Sequence, residues 1–293
     1  MMKQLLILSG KGGTGKTTVA GAMTHLFRAM ACADCDVDAP NLHLIFGNTG
    51  KEQRKDYYGL PKAHIDEAIC TMCGLCSEMC RFDAIKVGYT TRVDSHACEG
   101  CGLCEAICPQ DAIEMRPVVA GDLRLYTDLE KGVFSTAQLR IGNGTSGLLV
   151  TEVKKQMIGA AEGAELAIID GPPGIGCPVI ASISGVDMVL IVAEPSISGL
   201  SDMERILDTA RGLKAFSAVC VNKADLNPRL TDNIVTRCRE REVPYLGEIP
   251  YDPEVVRVVN RGLTLAYSEC PAGVAVREIF ERVAELLYEG VVE

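Results

Sequence analysis

The octet Gly10-Lys11-Gly12-Gly13-Thr14-Gly15-Lys16-Thr17 follows closely on the apolar run Gln4-Leu5-Leu6-Ile7-Leu8. Such a loop turns its backbone N–H groups onto phosphate oxygens, and the following helix adds the positive end of its dipole. It needs a buried strand before it and a helix after it, which fixes how the fold begins. The candidate nucleotide-binding residues are Gly10, Lys11, Gly12, Gly13, Thr14, Gly15, Lys16, Thr17 and Thr18. Lys16 is expected to bridge the β- and γ-phosphates, and the Thr17 hydroxyl to bind Mg²⁺. Further apolar runs lie at Leu166–Ile169, Met188–Val192 and Ala218–Val221, separated by amphipathic stretches such as Leu200–Leu213 and Val274–Tyr288. Continuous apolar strands alternating with amphipathic helices predict an α/β fold, a doubly wound and mostly parallel sheet. Asp170 closes the Leu166–Ile169 run, where a carboxylate would meet hydrated Mg²⁺, and the flexible Gly171-Pro172-Pro173-Gly174 follows it.

Two cysteine runs interrupt that alternation. They are Cys70-x2-Cys73-x2-Cys76-x3-Cys80 and Cys98-x2-Cys101-x2-Cys104-x3-Cys108-Pro109. The segment repeats itself, since Cys80-Arg81-Phe82-Asp83-Ala84-Ile85 echoes Cys108-Pro109-Gln110-Asp111-Ala112-Ile113. Eight thiols at this pitch, with no histidine among them, fit iron–sulfur clusters better than zinc. The pattern resembles a bacterial ferredoxin that carries two [4Fe–4S] clusters. In that family the fourth cysteine of each run ligates the other cluster. The resemblance pairs Cys70, Cys73 and Cys76 with Cys108, and Cys98, Cys101 and Cys104 with Cys80. Arg81 stands where the ferredoxin pattern has proline, which should alter hydrogen bonding and potential at the second cluster but not its ligation. The expected organisation is a discontinuous nucleotide-binding domain, residues 1–60 and 119–293, with a small α+β ferredoxin domain inserted at 61–118.

Composition narrows the function. The 293 residues carry a net charge of −10, which disfavours nucleic acid as a partner, since a polyanion demands a basic face. No apolar run reaches the length of a membrane span, and the start, Met1-Met2-Lys3, lacks the long apolar stretch of a secretion signal. Fourteen cysteines, eight of them in tight metal-type spacings, point to a reducing cytoplasm rather than to a disulfide framework.

Lys11 carries the reading further. Lys11-Gly12-Gly13-Thr14-Gly15-Lys16-Thr17 resembles the deviant Walker A motif of the MinD/ParA/nitrogenase-iron-protein superfamily. Asp34-Cys35-Asp36-Val37-Asp38-Ala39-Pro40-Asn41-Leu42 is similar to its second acidic motif, and Asp170-Gly171-Pro172-Pro173-Gly174 to its switch II. Val221-Asn222-Lys223-Ala224-Asp225 and Ile249-Pro250-Tyr251-Asp252-Pro253 resemble its adenine-proximal segments. The resemblance implies an ATPase that pairs as a homodimer around sandwiched ATP, the first lysine of each chain reaching its partner's nucleotide. By motif position Lys11, Lys16 and Asp36 are the catalytic candidates, with Asp36 orienting or deprotonating the attacking water. Thr17, Asp36 and Asp170 are the magnesium candidates, and Asn222 and Pro250 would face adenine. The Lys16-to-Asp36 interval is about one helical turn shorter than the family pattern, so Asp34 and Asp38 stand as alternatives to Asp36. Asp225 is what a guanine-reading NKxD motif would show, but the deviant loop favours ATP.

Six cysteines remain. Cys32, Cys35, Cys220, Cys238 and Cys270 read as core fillers. Cys177 stands at the offset from Asp170 of a dimer-bridging cluster ligand in the nitrogenase iron protein, but no second such ligand is evident. The leading expectation is an ATPase whose nucleotide-driven dimerisation gates electron transfer to an unidentified redox partner through two [4Fe–4S] clusters. An iron–sulfur scaffold or carrier is the alternative, disfavoured because the late cysteines are isolated. A MinD/ParA-like spatial regulator is disfavoured because the C-terminal segment Arg277–Leu287 lacks a basic membrane-binding face.

Overall fold

A computed structural model describes residues 2–43, 50–128 and 132–288. Strand β1 (Lys3–Ser9) leads through the glycine-rich loop into α1 (Lys16–Leu26), then β2 (Ala31–Asp34) and β3 (Lys51–Tyr58). Short elements follow: β4 (Lys62–Ile65), α2 (Leu75–Glu78), β5 (Ile85–Val87), β6 (Thr91–Val93), α3 (Leu103–Ala106) and β7 (Ile113–Arg116). Next come β8 (Val119–Asp128), β9 (Gly132–Leu139), α4 (Ser146–Ala160), β10 (Leu166–Pro173) and α5 (Cys177–Ile183). The chain then runs through β11 (Met188–Ala193), α6 (Ile197–Gly212), β12 (Phe216–Asn222) and α7 (Pro228–Glu240). It ends with β13 (Tyr245–Ile249), α8 (Glu254–Asn260) and α9 (Pro271–Tyr288).

Nine strands form one sheet in the order β13-β12-β11-β1-β10-β2-β9-β8-β3. From β13 to β9 every pairing is parallel, whereas β9-β8 and β8-β3 are antiparallel. The apolar runs of β1, β10 and β11 are buried because helices cover both faces. Alternate residues of β1 divide between the two cores: Leu6 and Leu8 pack with Leu149, Val153, Ile206 and Ile234, while Leu5 and Ile7 pack with Met23, Val276, Ile279 and Val283. Strand β1 lies between β10 and β11, so the sheet's switch point and the phosphate loop coincide at its carboxyl end.

Two helix boundaries moved for identifiable reasons. Helix α6 begins at Ile197 rather than Leu200, because the Ser196 side chain caps it by accepting the Gly199 N–H at 3.0 Å. Helix α9 begins at Pro271, the ring's fixed φ suiting a first turn. The antiparallel ribbon of β3, β8 and β9 lay outside the sequence expectation. Strand β3 reads Lys-Glu-Gln-Arg-Lys-Asp-Tyr-Tyr and buries only Tyr57, so no hydrophobic alternation announces it. It forms the sheet's last strand, where charged side chains discourage pairing with another chain.

The cysteine segment makes two separate two-stranded sheets, β4-β7 and β5-β6. It packs its own core from Ala63, Ile65, Ala84, Ile85, Cys98 and Ile113. The sequence repeat is also a repeat of backbone. Gly74 and Gly102 precede α2 and α3 at φ 80° and 75°, and Asp83 and Asp111 turn at φ 56° and 50°. The Asp83 N–H donates to the Cys80 carbonyl and the Asp111 N–H to that of Cys108, both at 3.3 Å. Arg81 therefore reproduces the turn that Pro109 makes, so proline is not needed to hold it.

Candidate functional site

A cavity of about 610 Å³ opens at the carboxyl end of β1, lined by the glycine-rich loop through Thr18 and by Asp36, Asp38 and Asn41. The loop closes around glycine. Gly15 has φ 95°, and a Cβ there would lie 2.2 Å from Asn222 Nδ2. That amide donates to the Thr14 carbonyl at 2.6 Å, so Asn222 braces the loop from behind and does not line the cavity. Pro250 does not line it either. Gly15→Val is expected to push the loop off Asn222 and weaken MgATP binding at least tenfold, measured by titration calorimetry, with little change in the cysteine segment.

Asp170, within β10, and Asp34, the last residue of β2, lie side by side where the register pairs them. Both are fully buried. Lys16 Nζ reaches Asp170 Oδ1 at 2.5 Å, and the Thr17 hydroxyl donates to Asp170 Oδ2 at 2.7 Å. Asp34 accepts the N–H groups of Asp36, Asn41 and Leu42 at 3.1, 2.8 and 2.9 Å. Burial, with the Asp170 charge beside it, pushes the Asp34 carboxyl up to about 7. Asp34 is thus engaged in folding the loop that carries its neighbours, whereas Asp36 and Asp38 face the cavity. Burial also holds the Asp36 carboxyl above the usual range, with the Lys16 charge pulling it back.

Lys11 folds back within its own chain. Its Nζ lies 3.3 Å from Glu194 Oε2, 3.3 Å from Ser196 Oγ and 3.4 Å from Ser198 Oγ. Lys223 approaches the same glutamate at 3.4 Å and donates to the Gly13 carbonyl at 3.0 Å. Glu194 was missed from the sequence, although a carboxylate just past the buried run of β11 echoes Asp170 just past its own run. Asp225 accepts the Tyr251 N–H at 2.6 Å, joining the two loops after β12 and β13.

The eight cysteines of the small sheets surround two hollows. Cys70, Cys73, Cys76 and Cys108 line one of about 20 Å³. Cys98, Cys101, Cys104 and Cys80 line the other, of about 280 Å³, and Cys76 lines both. The Ala112 N–H donates to Cys108 Sγ at 3.3 Å, and Thr91 Oγ1 lies 3.7 Å from Cys70 Sγ. Burial raises the thiols of Cys76 and Cys104. Among the described residues no three His, Cys, Asp or Glu side chains converge as one metal ion would require. Cys32, Cys35, Cys220 and Cys238 are buried, which raises their thiols, to about 12 for Cys32 and Cys220 and about 11 for Cys238. They pack as inert fillers. Cys177 is exposed at the head of α5, directly after the Gly171–Gly176 loop.

No described helix is long and apolar enough to cross a membrane. Residues 5–265 match the CobQ/CobB/MinD/ParA nucleotide binding domain. An uncharacterised protein of Methanocaldococcus jannaschii, MJ0578, is 31% identical over 98% of both chains. The iron-sulfur cluster carrier protein of Pyrococcus abyssi is 23% identical over 98% of this chain and 87% of its own. Among solved structures, the septum site-determining protein MinD of Pyrococcus horikoshii, complexed with Mg-ADP, superposes with a TM-score of 0.58 at 18% identity over 100% of both chains. Together with the strand–loop–helix site and the mostly parallel sheet, the match over residues 5–265 places the chain in the CobQ/CobB/MinD/ParA family as a MinD/ParA-type P-loop ATPase.

Proposed function

We propose that this ATPase carries two [4Fe–4S] clusters on residues 61–118 and that ATP-driven pairing of two chains gates electron transfer through them. The observation that carries the reading is the sorting of the eight sulfurs. One hollow takes Cys70, Cys73 and Cys76 with Cys108 of the other run, and the second takes Cys98, Cys101 and Cys104 with Cys80, Cys76 being shared by both; the fourth-cysteine exchange is the one that two-cluster ferredoxins use. An all-thiolate donor set suits such clusters, and the Ala112 N–H on Cys108 Sγ is the kind of hydrogen bond that tunes them. When bound, the clusters supply one-electron redox chemistry.

The chain's own residues do the rest. With nucleotide bound, Lys16 would exchange Asp170 for the β- and γ-phosphates, and Thr17 and Asp170 would hold Mg²⁺. Asp36, which lines the cavity, would take the attacking water's proton, a role its raised carboxyl suits. Asn222 holds the loop through the Thr14 carbonyl. Lys11 leaves Glu194 to reach the partner chain's phosphates.

The segment leading into α4 lies between this site and the cysteine segment. The loop after Asp170 ends at Cys177, and a Cβ on Gly147 would lie 3.4 Å from Cys177 Cβ. Further along the same segment, a Cβ on Gly144 would lie 3.1 Å from Glu99 Oε2, and one on Gly142 2.7 Å from His96 Cδ2. Residues 142–147 thus lie close to Cys177 on one side and to His96 and Glu99 on the other, beside a cavity of about 670 Å³, and a shift at the γ-phosphate would reach Cys98 and Cys101 through this segment.

A cluster carrier is the second reading, favoured by the name of the Pyrococcus abyssi relative. Exchange of the fourth cysteine argues for resident clusters, because releasing one disturbs the ligands of the other. The distinguishing experiment incubates loaded protein with a cluster-free acceptor: retention of about eight irons per chain supports electron transfer, and ATP-dependent loss supports the carrier. Lys11→Ala should leave ATP binding to the single chain intact but abolish ATP-dependent dimerisation, read by light scattering. Normal dimerisation of this variant would reject the sandwich.

A further inference from the structure

Lys62 is buried, 8% exposed, yet it belongs neither to the nucleotide site nor to a carboxylate pair. Its ammonium donates to the carbonyl of Cys98, and no Asp or Glu among the described residues lies within ion-pair distance. Its register partner across β4-β7 is another cation, Arg116, which is committed to Glu114. A buried ammonium without a counter-charge is costly, because a single carbonyl dipole does not replace its hydration. The neighbouring Ala63, on the opposite face of β4, lines the hollow of Cys98, Cys101, Cys104 and Cys80. Cys98 therefore touches both, lining the hollow while its carbonyl holds the ammonium.

We propose that Lys62 is the counter-charge of the cluster held by Cys98, Cys101, Cys104 and Cys80, and that it sets that cluster's reduction potential. The proposal rests on the two-cluster reading above. Four thiolates and a cubane carry net negative charge, and reduction adds one more electron. A fixed cation behind Cys98 stabilises the reduced state more than the oxidised one, which raises the potential. The other hollow differs: its lining includes Thr91, Gln110 and Pro109 and no charged side chain. The hollow beside Lys62 also contains Arg81 and Glu99 of opposite sign. Lys62 is the one of these three charges that is buried. The two clusters are thereby made unequal, and the electron settles on the one nearer the nucleotide-binding core.

Lys62 is also placed to respond to that core. It follows Gly59-Leu60-Pro61, the link from β3, and a Cβ on Gly59 would lie 2.8 Å from Thr145 Oγ1. Gly100 packs against the Pro61 carbonyl, where a Cβ would come within 2.4 Å. The lysine and the loop of Cys98–Cys101 therefore meet at one junction with the main sheet.

The test is a mediated redox titration of the full chain, loaded anaerobically, comparing wild type with Lys62→Met, Lys62→Gln and Lys62→Arg. Iron is counted first; fewer than eight irons in wild type would sink the two-cluster reading itself, separately from this proposal. With eight irons retained, Lys62→Met and Lys62→Gln are expected to lower one potential by a tenfold or greater change in the reduced-to-oxidised ratio, about 59 mV for one electron. The other potential should stay, and Lys62→Arg should resemble wild type. Glutamine retains a donor to Cys98, so a fall with both neutral residues separates charge from hydrogen bonding. Loss of iron in both neutral variants but not in Lys62→Arg also supports a required counter-charge. Unchanged potentials in the neutral variants, or equal loss of iron in all three, would overturn the proposal.

Discussion

Replacing Lys16 with alanine is expected to abolish tight MgATP binding and to destabilise the nucleotide-free chain by about 3–5 kcal/mol. Both effects come from one geometry. Lys16 is 6% exposed and ends 2.5 Å from a carboxylate, Asp170, that is wholly buried. Among the described residues, removing the ammonium leaves the Asp170 carboxylate with only the Thr17 hydroxyl at 2.7 Å, beside Asp34, whose carboxyl burial pushes up to about 7. An uncompensated buried charge is the source of the stability loss. Loss of binding follows from losing charge-assisted contacts to two phosphates, each worth about 1.5–3 kcal/mol, so affinity should fall more than a hundredfold. Urea unfolding without nucleotide and calorimetric titration with MgATP read the two effects. Lys16→Ala with unaltered affinity would show that phosphate does not bind at this loop.

Single substitutions in the two cysteine runs should remove different clusters. Cys73 lines only the hollow it shares with Cys70, Cys76 and Cys108, and Cys101 only the one it shares with Cys98, Cys104 and Cys80. Cys73→Ser and Cys101→Ser should each lower iron by about four per chain, because a serine oxygen is a poor cluster ligand. Nucleotide binding should survive, since the cysteine segment packs a core of its own. Cys32→Ser should leave the iron count unchanged, because Cys32 is buried in β2, away from both hollows. Iron lost equally from all three variants would mean that the hollows are not the ligand sets.

What the sequence disclosed and what it concealed have physical reasons. Leu5 to Leu8 announced β1 because a strand covered on both faces cannot alternate, and the glycine-rich loop after it needs only local residues. The cysteine repeat was legible for the same reason, its spacing being local. Strand β3 was hidden because its outward charges serve the sheet edge, not a core. Asp34, Asp36 and Asp38 were inseparable by spacing; only the fold turns Asp34 inward onto three backbone N–H groups and leaves the other two facing the cavity. Asn222 read as an adenine contact, whereas its bond to Thr14 across 208 positions, which belongs to tertiary structure, makes it a brace of the loop. Glu194 and Lys62 escaped for that reason too, since each draws its meaning from a partner distant in the chain.

Gating predicts reciprocity. If ATP prefers the chain in one conformation and the clusters differ in potential between conformations, nucleotide must shift potential and cluster oxidation state must shift ATP affinity by the same free energy. The decisive measurement is the midpoint potential of both clusters in anaerobic protein, with and without MgATP, alongside oligomeric state. The account predicts that MgATP drives dimer formation and lowers at least one potential, with a shift of about 59 mV matched by a tenfold change in ATP affinity. Dimerisation on MgATP with both potentials unchanged would contradict it, leaving an ATPase and a pair of clusters that share a chain but not a mechanism.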